Sequence, residues 1–272
     1  MSAATGDTIT FRILGCGSSP GVPRIGNDWG ACDPANPRNR RRRASLLVTR
    51  ASAHGLTRVL IDTGPDLREQ MLDAGVDWVD AVFYTHPHAD HIHGIDDLRS
   101  FVLNRKRKVD IYADQATSDR LREAFSYCFA TPPGSSYPPM LIDHRIAPGS
   151  AVTIDGPGGP ITILPFEQQH GEIVSLGFRI GNVAYSPDVS GLDEQALPHL
   201  ADLELWILDA LRDRPHPSHF SLAEALEWIG RMQPRRAILT HMHIDLDYET
   251  VKASAPAGVE PAYDGMELTF AA

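Results

Sequence analysis

The stretch Thr85-His86-Pro87-His88-Ala89-Asp90-His91 constrains this chain more than any other. It sets three imidazoles and a carboxylate within six residues, directly behind the apolar run Ala81-Val82-Phe83-Tyr84. Neutral imidazole is the commonest metal ligand, and an aspartate adds a hard oxygen that balances the charge of a divalent ion. A β-forming run that ends in such a cluster reads as a strand delivering donors to the loop at its tip. The expectation is one side of a two-metal hydrolytic centre.

Partners for that side lie far along the chain. His170 follows Ile161-Thr162-Ile163-Leu164-Pro165, Asp188 follows Val183-Ala184-Tyr185, and His241 follows Ala237-Ile238-Leu239-Thr240. Each is expected on the loop just beyond a strand, as His86 is, so strand ends from both halves converge on one edge. A lone histidine is more often a satisfied core or surface residue, but four loops built alike reinforce one another. The remaining histidines, His54, His93, His144, His199, His216 and His243, read as bystanders. His93 and His243 lie two residues from a candidate ligand, and His216 lies close to His219.

At 272 residues and 42% hydrophobic content, the chain can bury a substantial core and reads as one domain spanning 1–272. Ile9–Leu14 alternates as a strand and runs into the glycine-rich Gly15–Gly21. That loop lacks both the Gly-Lys-Ser/Thr of a P-loop and a full Gly-x-Gly-x-x-Gly, which favours a turn over a phosphate cradle. Val22–Arg43 reads as a long irregular loop ending in Arg38 and Arg40–Arg43. Those arginines are either a solvated face or, in an acidic protein, a hold for phosphate groups. Strands are expected at Ala44–Thr49 and Thr57–Ile61. Pro65 then opens a helix with Leu67, Met71 and Leu72 on one side and Gly75 at its end. Gly94–Asn104 and Thr117–Phe129 read as helices around a strand at Val109–Tyr112, and Ala130–Pro139 as a surface loop.

Short β runs follow at Leu141–Ile146, Val152–Ile154, Ile161–Pro165, Val174–Ile180 and Val183–Tyr185. Leu205–Leu208 is an apolar strand, and Ser221-Leu222-Ala223-Glu224 is a capping box opening a helix to Met232. Strands at Ala237–Leu239 and Glu267–Phe270 complete the pattern. Strands followed by helices in each half predict an α/β protein with two facing mixed sheets and helices outside, a four-layer αββα sandwich.

The 25 Lys and Arg against 35 Asp and Glu give a formal net charge of -10, which argues against broad nucleic-acid binding. Cys16, Cys32 and Cys128 are odd in number and widely spaced, so neither a disulfide framework nor a cysteine zinc site is expected. The first ten residues have no basic, apolar leader pattern, and no window approaches the roughly 20 apolar residues of a membrane span. A soluble, cytoplasmic protein fits these features. Its oligomeric state is open, a homodimer included.

The spacing His-x-His-x-Asp-His after a strand, with a later His, Asp and His, resembles the metallo-β-lactamase superfamily over nearly the whole chain. The resemblance implies that one divalent metal, zinc or manganese, takes His86, His88 and His170, that a second takes Asp90, His91 and His241, and that Asp188 bridges them. Diiron flavoproteins carry glutamate at the place of His88, and true β-lactamases carry cysteine or serine at the place of Asp188, so both branches are excluded. Gly15–Pro23, His219 ahead of Ser221-Leu222, and Asp264-Gly265-Met266-Glu267 resemble the cyclic phosphodiesterases of bacterial phosphonate breakdown, which open phosphoribosyl cyclic phosphate.

That resemblance implies hydrolysis of a small cyclic phosphate or nucleotide-like phosphodiester by metal-activated hydroxide. His219 and Asp90 are then the candidate catalytic side chains, and Asp62 is either an orienting carboxylate behind a ligand imidazole or a plain turn residue. The family's cysteine cluster is reduced here to Cys32, and Ile244 stands where a later histidine is expected, so no third metal is carried over. The alternatives are a tRNA 3′-end endonuclease of the same fold, with Arg38–Arg43 as its support, and a non-catalytic metal or nucleotide binder.

Overall fold

The computed structural model describes residues 6–272. Fourteen strands form two seven-stranded sheets. The first runs β14 (Glu267–Ala271), β1 (Thr8–Gly15), β2 (Ser45–Ser52), β3 (Gly55–Ile61), β4 (Ala81–Phe83), β5 (Val109–Ala113) and β6 (Leu141–Arg145). The second runs β13 (Val259–Pro261), β12 (Ala237–Thr240), β11 (Leu205–Asp209), β10 (Val183–Ser186), β9 (Ile173–Ile180), β8 (Ile161–His170) and β7 (Val152–Ile154). Both are mixed. Neighbours from β14 to β3 and from β7 to β10 are antiparallel, while β3 to β6 and β10 to β13 are parallel. The expected α/β, four-layer αββα arrangement is what the chain adopts.

The layering follows from side-chain alternation along strands that are buried on both faces. In β2, β3 and β4, Leu46, Val48, Val59, Ile61 and Phe83 face the core between the sheets. Their neighbours Leu47, Leu60 and Val82 point the other way, into a second core with Leu67 and Met71 of α1 (Leu67–Ala74) and Leu98 and Phe101 of α3 (Leu98–Arg105). Each such side chain, fully buried, contributes roughly 1.5–3 kcal/mol. The short turn α2 (Ala89–Ile92) lies between those helices in sequence. Two further helices, α4 (Gln115–Ala124) and α5 (Ser126–Phe129), interrupt at Phe125 the single helix expected there.

On the second sheet, α6 (Leu222–Met232) begins with the expected capping box, Ser221 accepting from Glu224 N while the Glu224 carboxylate accepts from Ser221 N. Its Ala225 and Ile229 pack into the central core. The helix α7 (Tyr248–Ser254) and strand β13 were not expected from the sequence. Leu72 differs from expectation too: it is 60% exposed, because it stands one residue, or about 100°, past Met71 on a 3.6-residue helix.

Of the arginine run, Arg40 is exposed, while the other four make contacts within the protein. Arg38 stacks over Tyr248 and Tyr263, Arg42 pairs with Asp73, and Arg43 pairs with Asp66 at 3.0 Å. Arg41 is 2% exposed and donates to His243 O at 3.2 Å and to Asn39 Oδ1 at 3.3 Å. Arg38 and Arg41 strap the long loop to the far end of the chain, and Arg42 and Arg43 strap it to α1 and its N-cap residue. Gly15 and Gly17 lie against that loop so closely that a Cβ at Gly15 would stand 2.1 Å from Arg43 O, which accounts for glycine there. No helix among the described residues is long and apolar enough to cross a membrane.

Candidate metal centre

Because β3 and β4 run parallel, and β10, β11 and β12 likewise, the C-terminal ends of these strands line one edge of each sheet. Ligand-bearing loops in open α/β sheets sit at that kind of edge. Asp62 follows β3, His86 to His91 follow β4, Asp188 follows β10, Asp209 ends β11 and His241 follows β12. His170 is the last residue of β8 rather than a loop residue beyond it, since that strand continues five residues past Pro165.

All seven expected ligands come together, in two adjoining groups. In the first, His86 Nε2 lies 2.9 Å from His88 Nδ1, which lies 3.1 Å from His170 Nε2. In the second, Asp90 Oδ2 stands 3.4 Å from His91 Nε2 and 3.7 Å from His241 Nε2. Asp188 sits between them. Its Oδ1 is 4.0 Å from His86 Nε2, 4.0 Å from His170 Nε2 and 3.3 Å from His241 Nε2, while Oδ2 is 3.2 Å from His91 Nε2.

The ring orientations are set from behind. Thr85 Oγ1 meets His86 Nδ1 at 2.9 Å, Asp62 Oδ2 meets His91 Nδ1 at 2.7 Å, and Ser218 O meets His170 Nδ1 at 2.6 Å. An Nδ1–H that donates to a carbonyl or carboxylate leaves the Nε2 lone pair pointing into the site. Asp62 is thus an orienting carboxylate, and it also accepts from Thr85 N and Thr85 Oγ1 at 2.8 Å each. Asp62 and His241 both take the left-handed backbone conformation, with φ of 64° and 57°, a strain that non-glycine residues store mainly at functional sites. Behind the motif, a Cβ on Gly64 would stand 2.3 Å from Asp90 O, so glycine lets the two loops touch.

The donor chemistry fits a divalent cation. Burial lowers the pKa of His86 and His88 and pushes His170 down to about 4, which keeps these imidazoles in the neutral form that coordinates metal. Burial opposes ionisation of Asp90 and Asp188, yet the imidazoles of His91 and His241 hold both carboxyls well below the usual range. His91 Nε2, His241 Nε2 and Asp188 Oδ2 are buried with no hydrogen-bond partner, the condition of donor atoms reserved for an ion.

His219 stands beside the groups, its ring 4.7 Å from those of His170 and His241, and its Nδ1 is 2.7 Å from Asp209 Oδ2. Sequence reasoning missed Asp209 because the apolar run was read to end at Leu208. Its position, a carboxylate at the C-terminal end of a buried strand, resembles that of Asp62 just beyond β3 and was the available signal. Among the histidines read as bystanders, His93 is exposed and His144 pairs with Asp110 at 2.7 Å, while His216 and His243 line a cavity that adjoins the centre.

Residues 57–242 match the family model described as a beta-lactamase superfamily domain. The crystal structure of a diphosphatase from the PhnP family superposes with a TM-score of 0.86 at 35% identity, covering 97% of each chain. The chain belongs to the PhnP family of the metallo-β-lactamase superfamily. An octanoyltransferase of Porphyromonas gingivalis is 33% identical over 260 residues, which is 94% of this chain and 50% of that protein. The PhnP-family chain therefore spans half the length of this curated relative. Human tRNase Z, short form, shares the fold with a TM-score of 0.64 at 17% identity, over 95% of this chain and 98% of its own.

Proposed function

We propose that the protein is a phosphodiesterase with two divalent metals, acting on a small cyclic phosphate or nucleotide-like diester. The observation that carries this reading is Asp188, a single carboxylate in reach of imidazoles from both donor groups, with the His219–Asp209 pair at their flank. His86, His88 and His170 would hold one ion and Asp90, His91 and His241 the other, with Asp188 shared. Zinc and manganese both suit these ligands. Bound there, the ions would neutralise charge on the phosphoryl oxygens and activate water for attack on phosphorus.

The chain's own residues complete the chemistry. Asp209 accepts the Nδ1–H of His219, fixing the ring so that Nε2 is the nitrogen left for substrate. A proton held at Nε2 passes to the leaving alkoxide oxygen, and the Asp209 carboxylate stabilises the cationic ring before transfer. Asp90 combines a ligand oxygen with negative charge at the edge of the second group. The arginine run gives the alternative tRNA endonuclease reading less support, because Arg38, Arg41, Arg42 and Arg43 are engaged within the protein and Arg40 alone of the five is exposed. A panel of cyclic phosphates, bis(p-nitrophenyl) phosphate and precursor tRNA tests the assignment. Turnover of the small esters is expected, and cleavage of precursor tRNA alone would contradict it.

A further inference from the structure

The parallel strands β3, β4 and β5 have a second edge, where they begin, opposite the edge that carries the donor groups. The seven residues of β3 separate the two edges by about 20 Å, at about 3.3 Å per residue. A cavity of about 640 Å³ opens at this second edge, between Gly55, the first residue of β3, and the segments that lead into β4 and β5. Its size falls within the range of small-molecule sites.

Leu56, Trp78 and Pro157 give the cavity apolar walls, and Leu56 is 41% exposed. Arg58, Arg105 and Arg107 supply three guanidinium groups. Asp77 meets two of them, its Oδ1 3.3 Å from Arg58 Nη1 and its Oδ2 2.7 Å from Arg105 Nη2, so one carboxylate is shared between two cations. Both oxygens of Asp80 are taken by other donors, Oδ1 accepting from Trp78 Nε1 at 3.1 Å and Oδ2 from Arg58 N at 2.9 Å. Among the described residues Arg107 has no acidic partner, and its guanidinium lies over the Trp78 ring, 4.7 Å from the centroid.

Arg107 belongs to the run Arg105-Lys106-Arg107-Lys108, four consecutive cations in a chain of formal net charge -10. The C-terminus of α3 accounts for Arg105 in its last turn, but Arg107 lies beyond the helix, past Lys106 in the left-handed conformation with φ of 54°. A planar guanidinium stacks on flat rings and donates paired hydrogen bonds to carboxylate or phosphate oxygens.

We propose that this cavity is a second ligand site, specific for an aromatic anion: a planar ring that carries one phosphate, sulfonate or carboxylate group. The ring lies against Leu56 and the open face of Arg107, with Trp78 backing the guanidinium. The anion takes the uncompensated donors of Arg58, Arg105 and Arg107. The site stands apart from the metal centre and does not rest on the phosphodiesterase reading.

Naphthalene-2-sulfonate, an aromatic anion with no ester bond to hydrolyse, is the probe, titrated by calorimetry into the metal-loaded chain and again after chelation. One molecule per chain is expected to bind, with the same affinity in both. Arg107→Gln should weaken it about 10-fold or more by removing charge-assisted hydrogen bonds, and Leu56→Asp should do likewise by setting a negative charge where the ring lies. Both positions are exposed, so both variants should keep the wild-type melting temperature and the wild-type hydrolysis of bis(p-nitrophenyl) phosphate. Methanesulfonate, which has the anion without the ring, should bind about 10-fold or more weakly, because it buries little apolar surface. No binding by the folded wild type, or undiminished binding by both variants, overturns the proposal. Binding lost on chelation also overturns it, by placing the probe at the metal centre. Equal affinity for methanesulfonate overturns the ligand class.

Discussion

The two sheets build the metal centre in different ways. The first delivers His86, His88, Asp90 and His91 from one loop, clamped by the contact between Gly64 and Asp90. The second delivers His170, Asp188 and His241 from three separate strand ends, with Asp209 and His219 behind them. One half is a local motif; the other exists only once the sheet has formed. A single backbone change should therefore disturb the first half as a unit, whereas the second half can be altered one function at a time.

The largest effect is expected where the halves meet. Asp188→Ala removes the carboxylate that both groups share, so bound metal should fall on both sides. Turnover should drop by more than the roughly 10- to 100-fold that loss of an orienting partner costs. Metal analysis checks this, and retention of two ions would break the picture of a shared ligand. His219→Ala should separate chemistry from binding, lowering turnover about 100- to 10,000-fold with metal content unchanged. Loss of metal in that variant would make His219 a ligand instead.

Smaller changes sharpen the contrast between the halves. Asp62→Asn should weaken metal binding about 10- to 100-fold, because it loosens His91, while Asp209→Asn should lower turnover with metal retained. Equal behaviour of the two variants would erase the distinction between orienting a ligand and orienting an acid. Gly64→Ala should cost about 1–3 kcal/mol of stability through overpacking against Asp90 O, with a lower melting temperature and weaker metal binding together. An unchanged melt would show that the loops yield to a methyl group.

The same difference explains what could be read in the sequence. The alternation of buried strands such as Leu46-Leu47-Val48 is a local property, and so is the histidine motif; both were legible. Asp209 was not, because its meaning depends on a partner ten residues away across a turn. The helix α7 escaped because only Tyr248 and Val251 are buried in it, too few to mark a face, and β13 has three residues. The arginines invert the expectation that clustered charge shares one purpose. Arg38, Arg41, Arg42 and Arg43 diverge to separate partners, while Arg24 and Arg212, far apart in sequence, line one cavity.

Elemental analysis of the purified chain, paired with hydrolysis of bis(p-nitrophenyl) phosphate before and after chelation, tests the central claim most directly. Two divalent ions per chain are expected, with hydrolysis lost on chelation and restored by zinc or manganese. Full hydrolysis by metal-free protein, or metal held only through cysteine, would contradict it.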